Sequence, residues 1–125
     1  MTKLELIIEQ FQKALNRLKE ALAAEKNDFT RDSAIQRFGF TLDLSWKSLK
    51  TLLEEKHGVV CTSPKGCFRE AFEQGLIDYN EIWLEMVDWR NETVHTYREE
   101  FAEKLYNSLP KAVEAFEKLF AVLKK

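Results

Sequence analysis

RDSAIQRFGFTLDLSWKSLKTLLEEKH, residues 31–57, contains no proline and meets its stop signal only at Gly58. Ala34, Ile35, Phe38, Leu42, Ser45, Trp46, Leu49, Leu52 and Leu53 recur at three- and four-residue spacing, the period of one helix face. A helix from about Arg31 to His57 follows, roughly 40 Å long at 1.5 Å per residue, ended by a glycine suited to the left-handed position past a helix C-terminus. Phe40 and Leu44 fall on nearly the opposite side. The helix therefore presents two apolar faces, for a place inside a bundle or for a subunit interface.

Working outward, each flank reads as another capped helix. Thr2 and Glu5 have capping-box spacing, and Leu4, Ile7, Ile8, Phe11, Leu15, Leu18 and Leu22 extend a first helix to about Ala24. Asn27, Asp28 and Thr30 form the cap-rich turn before the long helix. Ser63-Pro64 opens a short third helix, Lys65 to Gln74, closed at Gly75 with Leu76 and Ile77 free to make a hydrophobic contact. Asp78 and Glu81 pair as a capping box for a fourth, Tyr79 to about His95, carrying Trp83, Met86, Val87, Trp89 and Arg90. The last runs from about Glu99. Its stripe of Phe101, Leu105, Leu109, Val113, Phe116, Phe120 and Leu123 keeps phase across Pro110, so one kinked helix is expected, with Ser108 able to recap its second half. The expected fold is all-α: an antiparallel up-and-down four-helix bundle with a short extra helix, in a single domain over residues 1–125.

Composition narrows the function classes. The chain has 125 residues, and its 19 Lys and Arg against 21 Asp and Glu give a net charge of −2, so any nucleic-acid contact needs a local cluster instead of a global positive field. The N-terminus reads as a charged amphipathic helix, neither signal peptide nor membrane span, and a cytoplasmic location is expected. Cys61 and Cys67, with His57 and His95, lack zinc-ligand spacing; free thiols and no metal are expected. Trp46, Trp83 and Trp89 read as core aromatics, with Trp89 the one nearest an interface.

Chemistry concentrates in Arg90-Asn91-Glu92-Thr93-Val94-His95-Thr96-Tyr97. A guanidinium offers a planar fork of donors for phosphate, an imidazole can exchange protons near neutrality, and a phenol can stack or accept a group. At about 100° per residue, Arg90, Val94 and Tyr97 share a face with Trp83 and Val87, so Arg90 aims coreward and needs an acid, a cleft or an anion. His95 falls on another side, in line with Asp88 and Asn91, a stripe that could orient the imidazole. Arg90 and His95 converge only if the helix ends between them or a twofold dimer joins two copies. Together they could cleave RNA without a metal, His95 as acid or base and Arg90 against the phosphorane. The plainer alternative is structural: ion pairs for Arg90 and Asp88, and His95 at a helix C-terminus. Lys47 and Lys50 with Arg98 could help hold one phosphate.

RFGFTLDLSWKSLKTLLEE, SPKGCFREAFEQGLID and WLEMVDWRNETVHTY, in that order between Arg37 and Tyr97, resemble the nucleotidyltransferase substrate-binding protein family, a branch of the HEPN superfamily of helical bundles. That resemblance places Arg-x4-6-His on Arg90 and His95, a following polar residue on Asn91, and the His-x-Tyr of the toxin branch on His95 and Tyr97. It implies a homodimer that presents a substrate to a separately encoded minimal nucleotidyltransferase; beside the motif's Asn91 and Tyr97, Asp88 of the helix-face stripe and Lys47 of the basic pair complete the candidate substrate contacts. The alternative it implies is a metal-independent ribonuclease toxin of a toxin-antitoxin pair, silenced by AMP transfer to Tyr97, with RNA and not DNA as its nucleic acid. The chain carries neither the Gly-Ser and paired aspartates of a nucleotidyltransferase nor a P-loop. ATP and Mg are therefore implied for the partner alone, and no cofactor for this chain.

Overall fold

The computed structural model describes residues 1–95 and 98–125, and the described residues form five helices: α1 (Lys3–Ala23), α2 (Asp28–His57), α3 (Pro64–Glu73), α4 (Ile82–His95) and α5 (Glu99–Leu123). All five feed one core, centred on Phe11, Phe38, Leu42, Leu49, Phe68, Met86, Leu109, Phe116 and Leu119. Phe116 lies at its middle, with ring centroids 5.9 Å from Phe11, 6.2 Å from Phe38 and 5.9 Å from Trp83. Truncating a fully buried phenylalanine of this kind to alanine costs about 3–5 kcal/mol. The all-α expectation holds.

The long central helix begins three residues earlier than its apolar stripe suggested. Asn27 accepts from the Thr30 N–H (2.9 Å) while the Thr30 hydroxyl accepts from the Asn27 N–H (2.8 Å), a reciprocal box that starts the helix at Asp28. At the far end Gly58 adopts φ 65°, and its N–H returns to the Leu53 carbonyl. One face of α2 buries Ala34, Phe38, Leu42, Leu49 and Leu53, and Leu44 packs partly on the core from the other side. Phe40 remains 55% exposed. Buried Thr41, Ser48 and Thr51 donate their hydroxyls to the carbonyls of Arg37, Leu44 and Lys47 in their own helix.

Three further expectations are corrected. Helix α4 starts at Ile82, not Tyr79: the Asn80 side chain accepts from the Ile82 N–H (3.0 Å), whereas Glu81 accepts from the Tyr79 hydroxyl (2.8 Å). Ser108 does not recap α5, which is continuous through Pro110; its hydroxyl donates back to the Lys104 carbonyl. Cys61 and Cys67 are not free thiols but a disulfide, joining the loop after α2 to α3. With Leu53 they form a small satellite core covered by Trp46, Val59 and Leu76. Six-residue spacing is silent on such pairing because the contact depends on how α3 folds back over α2.

Candidate functional site

Arg90 reaches α2 instead of the bundle centre. Its Nη2 donates to Asp43 Oδ2 at 3.2 Å, and both side chains keep about a third of their surface, 31% and 33%. The close approach depends on Gly39, one turn before Asp43: a Cβ there would sit 3.3 Å from Arg90 Cδ and 3.5 Å from Nε. A mid-helix glycine costs about 1 kcal/mol relative to alanine. Here the missing side chain gives the guanidinium stem its bed. Gly39 and Asp43 were not singled out in the sequence, although an isolated glycine within a helical pattern is a recognised sign of close packing.

A cleft of about 330 Å³ opens beside this pair, between α2 and the junction of α4 with α5. Arg90, Thr93 and Arg98 supply polar groups, Ile35, Phe40, Val94 and Phe101 apolar ones, and Asp32 the carboxylate. Asp32 is engaged at its Oδ1 by the Arg31 Nε–H, at 3.0 Å. Thr93 donates its hydroxyl to the Arg90 carbonyl, 2.7 Å away. Such a cavity, with apolar walls and few cationic donors, suits an anionic ligand carrying a flat or apolar body.

The other candidate residues that the structure describes lie outside this cleft. His95, the last residue of α4, is exposed, as are Asn91 and Lys47. Asp88 is held by Lys65 of α3 at 2.7 Å rather than by the Asn91-His95 stripe. Tyr97 falls outside the described residues. One copy of the chain thus brings Arg90 to a cleft with Arg98 and does not bring His95 into it. Among the described residues, no three His, Cys, Asp or Glu side chains gather as a metal-ligand set.

Behind the cleft lies an ion cluster that sequence reading missed, because Arg31 looked like an ordinary first-turn residue. Arg31 is 2% exposed, and its Nη1 meets Glu99 Oε2 at 2.7 Å and Glu103 Oε1 at 3.1 Å, joining the starts of α2 and α5. Hydrogen bonds that it donates to Glu99, Glu103 and Asp32 raise its pKa further above an already high value, so it stays charged. Glu103 is also bound by Lys26 at 2.6 Å; Lys26 first, then Arg31, pull its carboxyl below the usual range.

Known proteins resemble this chain in sequence and in fold. The family described as nucleotidyltransferase substrate binding protein like matches residues 6–125. A probable ribonuclease HepT of Haemophilus influenzae is 37% identical over 79 residues, 58% of this chain and 53%, about half, of the relative's length. A crystal structure from Thermus thermophilus superimposes with a TM-score of 0.86 at 41% identity, over 92% of this chain and 99% of that one.

Proposed function

The chain belongs to the nucleotidyltransferase substrate-binding-protein-like family, and from that premise we propose that it is the helical subunit that holds the substrate of a separately encoded minimal nucleotidyltransferase. The observation that carries this reading is the Arg90 cleft: a part-exposed guanidinium steadied by Asp43, in a cavity that Arg98 and the apolar Ile35, Phe40, Val94 and Phe101 also line. Asp43 occupies one donor of the fork and leaves others for a phosphate oxygen. ATP, Mg and the metal-binding carboxylates come with the partner in this scheme. Its test is reconstitution with a minimal nucleotidyltransferase encoded in the same genome. The pair should co-elute, and nucleotide transfer should fall at least tenfold with Arg90→Ala; absence of a complex, or transfer indifferent to that change, overturns the reading.

A second reading is favoured by the Haemophilus relative's name and by His95, exposed a little over one turn beyond Arg90. In it the protein is a metal-independent ribonuclease, and a twofold homodimer supplies the convergence that one copy lacks. Its neutralisation would be AMP transfer to Tyr97. RNA incubated with the protein in EDTA distinguishes the two: cleavage lost in His95→Ala supports the nuclease, and intact RNA rejects it.

A further inference from the structure

A second cleft, about 160 Å³, lies between α1 and α2 and is lined by Lys13, Ala14, Arg17, Arg37 and Phe40. No carboxylate among the described residues lines it. Lys13 and Arg17 stand four residues apart on one face of α1, a spacing at which like charges mildly destabilise a helix, and Arg37 of α2 adds a third cation to the same notch. Among the described residues Arg37 makes no ion pair; its Nε–H donates to the Ser33 hydroxyl, 3.1 Å away. Lys13 and Arg17 have only solvent-exposed partners on their own helix, Glu9 at 3.4 Å and Glu20 at 3.5 Å. Such pairs contribute little and yield readily to a competing anion.

Phe40 connects this notch to the Arg90 cleft, because the same half-exposed ring lines both. Five cationic residues and one carboxylate, Asp32, line the two clefts together, on a chain whose net charge is −2. Positive charge on both sides of an exposed aromatic ring is the pattern that binds successive phosphates while a base stacks between them. A duplex keeps its bases inside and could not use the ring. A second copy of this chain bringing the same face would oppose cation to cation.

We propose that the Lys13, Arg17 and Arg37 notch is a further phosphate-binding site, onto which a single-stranded nucleic acid seated in the Arg90 cleft continues past Phe40. The proposal rests on the reading of that cleft as the substrate site and specifies the substrate as a strand longer than one nucleotide. Alanine at Lys13 and Arg17 on the helix surface and at half-buried Arg37 removes no core packing, and matched thermal melts verify the fold.

The experiment is anisotropy of a labelled oligouridylate of about ten nucleotides, long enough to cross both clefts by the site sizes of single-strand binders, titrated with the full chain across a range of salt. The triple variant Lys13→Ala, Arg17→Ala, Arg37→Ala should weaken binding roughly tenfold or more and lower the salt slope by about 2, at about 0.7 per phosphate contact. Phe40→Ala should weaken binding and leave the slope unchanged. No binding by the wild type, or a triple variant that binds like it, overturns the proposal. So does a triple variant with intact strand binding that sediments as a smaller oligomer, which would make the face a contact between copies. Arg90→Ala separates the two layers: full affinity there, with loss in the triple variant, retains the notch as a strand site and removes the Arg90 cleft.

Discussion

Gly39 and Arg90 are one device made of two residues. The glycine contributes nothing by itself; its value is the arginine stem that lies where a Cβ would be. Gly39→Ala adds about 1 kcal/mol of helix propensity and pushes on Cδ of a flexible, partly exposed side chain, which can move aside. The expected result is folding stability within about 1 kcal/mol of wild type, together with weakened anion binding, read by denaturant melts alongside ligand titration. A fall in stability with binding intact would show that the contact serves packing. At this scale the sequence was half legible. Arg90 could be singled out because a cation in phase with Trp83 and Val87 needs a partner, and it has one. Which carboxylate it would meet could not be read, because Asp43 lies on another helix and its position follows from the α2/α4 packing. His95 shows the opposite limit: the 100° turn per residue separated it from Arg90's face, and among the described residues it does not line the Arg90 cleft.

Helices start and stop where their caps are, and most caps were readable. Thr2, Ser63 and Gly58 act at the positions their residue types favour. The misreadings arose where more than one cap candidate stood close together: Asn27 and Thr30 form one reciprocal box that starts α2 at Asp28, and Asn80 caps α4 in place of Asp78. Asn80's carbonyl oxygen reaches the first free N–H of the helix, while Glu81 is drawn to the Tyr79 hydroxyl. The disulfide belongs to this scale as well. It closes a small loop, with a sequence separation of 6 between its cysteines, for which loop-closure entropy gives only about 2 kcal/mol. Reduction should therefore lower unfolding stability by about that amount and leave the helical circular dichroism of the folded protein unchanged. Loss of more than the satellite core on adding reductant would contradict this. The bond fastens the loop against Leu53 and Val59 rather than holding the bundle together.

At the scale of the whole molecule, the apolar core joins the helices and the Arg31 cluster registers the ends of two of them. Glu103 has a folded-state pKa below its unfolded value, chiefly through Lys26 and then Arg31. Its contribution to stability is therefore complete above the ordinary glutamate range and is lost as pH falls through the depressed folded value. Thermal melts should show a decline below about pH 4 that is smaller in Glu103→Gln, whereas a decline of equal size in the variant would assign the acid sensitivity elsewhere. Arg31 remains charged throughout that range, so the loss of this contact follows the protonation of Glu103. The bundle architecture was legible from apolar periodicity; this cluster around buried Arg31 was not, because two of its carboxylates, Glu99 and Glu103, come from α5 while its guanidinium comes from α2.

The hydroxyls of Thr41, Ser48 and Thr51 have a consequence for how the molecule can change shape. Each is buried and satisfied within its own helix, so α2 offers these groups no partner across a seam. A neighbour that shifted along this helix would break no bond to them and leave no polar atom stranded. Lengthwise travel of another helix against this central rod is resisted instead by fit, by the Arg31 contacts at its start and, for α4, by the Arg90–Asp43 pair midway along it.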